Sequence, residues 1–136
     1  MSMGLGDFLK GDLVEAKFST NDAAGQSASR TTPGTVAVYK DALTVPDTAG
    51  VTDTANFNAI VGIHHVTVNT SGAFYVPGSE YQIVLTGAQI AGISPVVSVI
   101  GHFSIEHRKA DVDRILGATL VESSAGRIAG NFDFFY

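Results

Sequence analysis

Residues 95–107 read PVVSVIGHFSIEH, and the alternation inside this stretch decides the fold. Val97, Val99, Phe103 and Ile105 fall on one side of a period of two, with Gly101 interrupting the row. Ser98, His102, Ser104 and Glu106 stand opposite. A helix would need apolar residues every three or four positions. The spacing therefore predicts a long strand that buries Val97, Val99, Phe103 and Ile105, and Gly101 reads as a bulge or a point of close backbone packing.

Working upstream, Tyr81, Ile83 and Leu85 of YQIVLT share one face, and residues 87–92 read as a tight connection into the long strand. Before it, residues 62–70 (GIHHVTVNT) place His64, Val66 and Val68 together, with a turn at Ser71-Gly72 and a break at Pro77-Gly78. Residues 51–60 match neither period and suggest a bulged strand. TVAVYK (35–40) reads as a strand, followed by a short run LTV (43–45). The segment 20–34 is small, polar and closed by Pro33-Gly34, as expected of a long exposed loop. Val14, Ala16 and Phe18 alternate with Glu15, Lys17 and Ser19 in a half-buried first strand. Connections this short favour an antiparallel meander over parallel crossovers.

The two ends differ from the middle. Residues 1–10 show no period, but Leu5, Phe8 and Leu9 are apolar, as in an arm that gains order on a neighbour or a frayed terminus. Downstream, Val112, Ile115, Leu116 and Leu120 stand at helical spacing and predict one short helix over 109–121, with Asp111 or Asp113 in its first turn. The chain ends AGRIAGNFDFFY, in which Phe132, Phe134 and Tyr136 alternate with Asn131, Asp133 and Phe135. Such an aromatic ending either adds a strand to the domain or docks on another subunit. The expected organisation is an N-terminal arm (1–10), a β-sandwich (11–108), and a short helix with a C-terminal aromatic arm (109–136).

Composition narrows the function. At 136 residues the chain is one domain by length, and a chain of this size buries about two-thirds of its unfolded surface. It has no cysteine, so neither a disulfide framework nor a cysteine zinc site is available. A formal charge of -5 without a basic run disfavours nucleic acid. No apolar run is long enough for a bilayer and MSMGLGDFLKGD lacks a signal peptide's pattern, so a soluble, unprocessed protein is expected. Charged residues make up only 15%, which hints at a surface occupied by partners.

No catalytic, cofactor or metal site emerges from the residues. His64 and His65 are adjacent in a strand and must point to opposite faces, as must His102 and His107, five apart. The carboxylates are scattered, with no pair held on a common strand face. No serine sits in a G-x-S-x-G elbow, and Gly4-Leu5-Gly6 follows no strand and opens no helix, so it is no dinucleotide fingerprint. Tyr39, Phe74, Tyr75 and Tyr81 could stack on sugars, although tryptophan is absent.

The run from Gly62 to Arg108 resembles a family of small virion proteins of tailed bacteriophages. The likeness is carried by Gly101, Phe103, Ser104, Ile105, Glu106 and Arg108, and earlier by Val66, Asn69, Thr70, Gly72, Phe74, Tyr75, Gly78, Ser79 and Tyr81. GDLVEAKFST and VAVYKD extend it over most of the chain from Gly11 to Arg108, through structural rather than chemical residues. The resemblance implies a mainly β protein, an antiparallel β-sandwich of the kind that includes jelly rolls, serving as a building block of the particle. It points to a non-enzymatic capsid cement or decoration protein, made in the host cytoplasm and carried on the virion surface. Such a protein binds across major capsid protein subunits as a dimer or trimer, without nucleic acid, membrane or cofactor. The contact residues expected are Leu5, Phe8, Leu9, Phe132, Phe134, Phe135 and Tyr136. The alternatives are a tail or baseplate adaptor holding a fibre and, from another class, a host-glycan binding module or hydrolase.

Overall fold

The computed structural model describes residues 3–106 and, beyond them, the backbone of four short strands between 114 and 129. In chain order the strands are β1 (Met3–Phe8), β2 (Leu13–Ser19), β3 (Arg30–Thr32), β4 (Thr35–Lys40), β5 (Val51–Thr54), β6 (Ile63–Asn69), β7 (Glu80–Ile90), β8 (Ile93–Ile105), β9 (Arg114–Ile115), β10 (Ala118–Thr119), β11 (Val121–Ser124) and β12 (Arg127–Ala129). One 3-10 turn lies at Phe57–Ala59. The protein is mainly β, as its alternating patterns predict.

Two sheets form the body. The first runs β1-β8-β7, and the far side of β7 carries β4 and β3 end to end. The second is β2-β6-β5, antiparallel throughout. Between them lies one core: Val14 and Ala16 of β2 and Val66 and Val68 of β6 pack with Val36, Val38, Ile83, Leu85, Ile100, Phe103 and Ile105 of the first sheet. Each of the larger side chains, fully buried, contributes about 1.5–3 kcal/mol. The chain crosses between sheets after β1, β2, β4 and β6, so the expected meander is corrected. Local hairpins join only β5 to β6 and β7 to β8 within the body, and β1 pairs in parallel with β8.

The long strand holds the main surprise. Phe103 and Ile105 are buried, at 2% and 0% exposure, as predicted, but Val97 and Val99 are outside, at 65% and 42%. Ile100 is in the core instead. The cause is a register shift: Gly101 stands opposite Ile83 while Val99 stands opposite Val84, leaving Ile100 as an extra residue. One added residue reverses which face every later side chain points to. Gly101 itself is a close-approach point, because a Cβ there would lie 2.9 Å from the Met3 carbonyl oxygen of β1.

Turn chemistry explains the other departures. β7 does not stop near Gly87 but continues to Ile90, and Ile90 faces Ile93 across a two-residue turn in which Ala91 and Gly92 both have positive φ. That is the turn whose twist matches a hairpin. Pro33-Gly34 separates β3 from β4, and Gly34 lies against Thr86 O and Ala88 N of β7 at φ +74, where no side chain fits. The run 43–45 forms no strand: Leu43 and Val45 are exposed, and the chain next touches the sheet through the Val38–Asp47 bridge.

The ends are revised too. Residues 3–8 are a strand of the body, and Leu5 and Phe8 pack against the core. The helix expected over 109–121 is overturned for its described residues, where Arg114–Ile115 pairs antiparallel with Ala118–Thr119. Two of the four residues at helical spacing, Val112 and Ile115, are β-branched, as are Thr119 and Val121 beside them, and Gly117 interrupts the segment, all of which weaken a helix.

Candidate functional site

A threonine and a histidine meet under the loop that follows β2. His64 of β6 is wholly buried, and its Nε2 lies 2.7 Å from Thr20 Oγ1. A hydroxyl bonded to a histidine is the arrangement of an activated nucleophile, so its polarity matters. The Thr20 hydroxyl donates to Ala28 O at 2.5 Å, which leaves its oxygen to accept from the Nε2 hydrogen. Nδ1 accepts the Asn56 N–H at 3.1 Å. In a catalytic triad the imidazole takes the hydroxyl proton and donates from its other nitrogen to a carboxylate. Both bonds run the opposite way here. The pair is a neutral structural link that ties the 20–28 loop and the 56–62 turn to β6, and Asn56 adds bonds to Ser29 Oγ and from Gly62 N–H.

Burial, and secondarily the charge of Arg30, holds the His64 pKa below its usual value, while Asp53 acts weakly the other way. Folding therefore favours the neutral ring. Below a pH of about 6.5 the unfolded chain takes up a proton that the folded one resists, so stability falls on acidification through this window. Urea unfolding midpoints measured from pH 7.5 to 5 should drop, and His64→Gln should flatten that part of the dependence. An unchanged slope in the variant would assign the effect to other groups.

Next to this link a charge pair joins the two sheets. Arg30 of β3 donates to both oxygens of Asp53 of β5, at 2.7 and 2.8 Å, and to Pro33 O at 2.8 Å. Its guanidinium lies 5.2 Å from the Phe18 ring centroid. Both partners are occupied with each other, which makes them a clamp rather than a reacting group.

The outer face of the first sheet carries a polar concavity of about 480 Å³ between Asp7 of β1, His102 and Ser104 of β8, and Glu80 and Gln82 of β7. The register places Glu80 opposite Ser104 and Gln82 opposite His102, and Ser104 donates to Asp7 Oδ1 at 2.7 Å. Serine, histidine and aspartate are thus neighbours, but the serine hydroxyl is spent on the carboxylate. Among the described residues no three histidines or carboxylates are placed to hold a metal ion. His64 and His65 do point to opposite faces. His65 is on the outer face and largely covered, 3.3 Å from Glu15 and against the Phe57 ring. His107 falls outside the described residues.

The aromatic residues proposed to stack on sugars are mostly interior. Tyr75 and Tyr81 are buried beside Phe103, and Phe74 packs edge-on to Tyr75. The Tyr75 hydroxyl donates to Asp47 at 2.8 Å, and burial first, then that carboxylate, pushes its pKa far up. Burial likewise raises the Tyr81 pKa. Lys10 and Lys40 clamp this loop from outside: Lys10 Nζ donates to Gly72 O and Tyr75 O, both at 2.7 Å, and Lys40 Nζ to Phe74 O at 2.9 Å. Tyr39 and Phe74 are half-buried, so two of the four keep some surface and two keep none.

Of the contact residues expected from the sequence, Leu5 and Phe8 face their own core, Leu9 is exposed, and Phe132, Phe134, Phe135 and Tyr136 lie outside the described residues. Sequence reading missed a different apolar surface. Met3, Ile93, Val97 and Val99 are exposed, and all but Met3 belong to the part of β8 that extends past β1. There a groove of about 420 Å³ opens between the edges of the two sheets, from Ser98, Val99 and Ile100 across to Lys17, Phe18, Ser19 and Ile63. One signal pointed to it: from Tyr81 to Ile105 the chain has no Asp, Glu, Lys or Arg. Exposed sheet edges ordinarily carry charge as protection against pairing.

No family model, curated protein or solved structure matches the chain. No helix among the described residues is long and apolar enough to cross a membrane.

Proposed function

We propose that the protein is a structural component of a tailed-bacteriophage particle, a capsid cement protein that binds across major capsid protein subunits and associates with itself. The observation that carries the reading is the uncharged, apolar stretch of β8 around Val97 and Val99 beside an open groove. Soluble monomers seldom leave such an edge bare, and a partner that covers it gains both backbone pairing and apolar burial. The polar groups found together, Thr20 with His64 and Ser104 with Asp7, are committed to each other in ways that hold the fold. The motif resemblance between Gly62 and Arg108 points to the same class of protein.

Cryo-microscopy of the particle with quantitative gel analysis tests this. A cement protein is expected in hundreds of copies distributed over the shell. A few tens of copies in a closed ring at the tail would overturn the reading in favour of an adaptor, and absence from the particle would overturn both.

A further inference from the structure

We infer that the buried His64 is an acid-sensitive latch: taking up one proton expels the Asn56 N–H and releases the 56–62 turn while the rest of the sandwich stays folded. The ring is bonded at both nitrogens, in a fixed polarity. Thr20 Oγ1 gives its hydrogen to Ala28 O, so it accepts from Nε2 at 2.7 Å, and Nδ1 offers the lone pair that takes the Asn56 N–H at 3.1 Å. A proton from solvent can be added only at Nδ1. Two hydrogens would then face each other and the Asn56 bond is lost, whereas the Thr20 bond keeps both its donor and its acceptor. The device is therefore one-sided: the 20–28 loop stays tied to the ring and the 56–62 turn comes free.

The turn is poised to leave. Asn56, Asn58 and Ala59 all have left-handed backbones, at φ 47, 55 and 59, a conformation that strains any residue with a side chain and that asparagine tolerates better than alanine. Asn56 holds the turn down through three bonds: its N–H to His64, its Nδ2 to Ser29 Oγ at 2.8 Å, and its Oδ1 from Gly62 N–H at 3.0 Å. Ile60 and Val61 are 49% and 52% exposed, so little burial opposes release, and Phe57, against His65 and Lys17, is the turn's other anchor. The surroundings set the pH at which the latch yields. Among the described residues, Arg30 of β3 opposes a charge on the ring, and Asp53 of β5 favours one but is bonded to Arg30 through both oxygens. β2 presents the Phe18 ring, 5.0 Å from the imidazole, while its Glu15 and Lys17 stand on the opposite face with His65. Asp22 of the 20–28 loop accepts from Ala24 and Gln26 N–H. The closed latch thus resists the proton, and the open turn, which lets water reach the ring, accepts it near the ordinary value of about 6.5. The inference is independent of the assembly reading above.

Nitrogen-15-labelled full-length protein, followed by NMR from pH 7.5 to 5, tests the latch. At pH 7.5 the His64 ring shifts should report hydrogen on Nε2 and none on Nδ1. Corrected for intrinsic exchange, the opening constants of the Asn56 and Gly62 amides should rise about tenfold per pH unit below about 6.5, as one proton taken up on opening requires. Low urea should not change them, because a local opening exposes little surface, while the β7 amides exchange through urea-dependent unfolding. The Ala28 N–H, bonded to Thr20 O, should stay about tenfold or more better protected than that of Asn56. His64→Gln, which takes up no proton in this range, should lose the pH dependence at Asn56 and Gly62. Hydrogen on Nδ1 at pH 7.5 would overturn the inference, as would Asn56 and Gly62 amides that exchange only together with β7, or an Ala28 amide as labile as that of Asn56. So would a slope that survives in His64→Gln; should that variant not fold, the wild-type measurements decide.

Discussion

Asp53→Ala is expected to destabilise the protein by about 3–5 kcal/mol, the cost of leaving a buried charge without its partner. Arg30 sits on β3 of the first sheet with its side chain fully enclosed, and Asp53, only 21% exposed, sits on β5 of the second. Removing the carboxylate strands a guanidinium left with one hydrogen bond, to Pro33 O, and the Phe18 ring, and whose Nε has no hydrogen-bond partner among the described residues. For a domain whose whole stability is of the order of 5–15 kcal/mol, that is a large share. The double variant Arg30→Met, Asp53→Leu should recover most of the loss, since apolar packing replaces buried ion pairs at little net cost. Chemical denaturation of the three proteins checks this. A single-variant loss below about 1 kcal/mol would show that water reaches Arg30 and that the pair clamps nothing.

Phe103→Ala should cost a similar amount, about 3–5 kcal/mol for the cavity and lost burial. Phe103 is the hub of the aromatic layer: it stacks on Tyr81 at 5.2 Å, lies parallel to Tyr75 at 6.4 Å, and meets Phe8 edge-on at 6.1 Å. Through these contacts it holds β7, the loop after β6, and β1 at once. Phe103→Leu should restore part of the stability, because apolar volume returns without the ring geometry. The variant should also loosen β1 selectively. The Glu106 N–H, which donates to Phe8 O at 2.8 Å, should exchange with solvent faster than the amides of β6. Equal acceleration in both strands would mean that Phe103 supports the whole core evenly and not the β1 junction.

How far the sequence was legible follows from what each pattern encodes. β2, β6 and β7 were readable because one side of each faces a core and the other does not, and period two reports that directly. His64 was readable as an inward residue but not as a bonded one, since Thr20 and Asn56 reach it from loops whose course no periodicity records. The bulge at Ile100 was hidden because PVVSVIGHFSI alternates acceptably in either phase, and only the partner strand decides where the extra residue goes. β1 was invisible for a related reason. Its pairing is with a strand at the other end of the described body, and GLGDF has no amphipathic signature of its own. The β8 edge that no other described strand pairs left a trace in the absence of charge, but an absence names no partner.

The parallel pairing of β1 with β8 also sets an order in time. Asp7 and Ser104, hydrogen-bonded across it, are 97 residues apart in the chain. β1 leaves the ribosome before the other strands of the body and has no partner among them until β8, the last of them, has emerged. Closing so long a loop is entropically costly, and proteins dominated by such distant pairings fold more slowly than those built from local ones. Until β1 docks, the edge of β8 away from β7 is uncovered over Gly101–Ile105 as well, so the window for capture by another chain is widest just before the body seals itself.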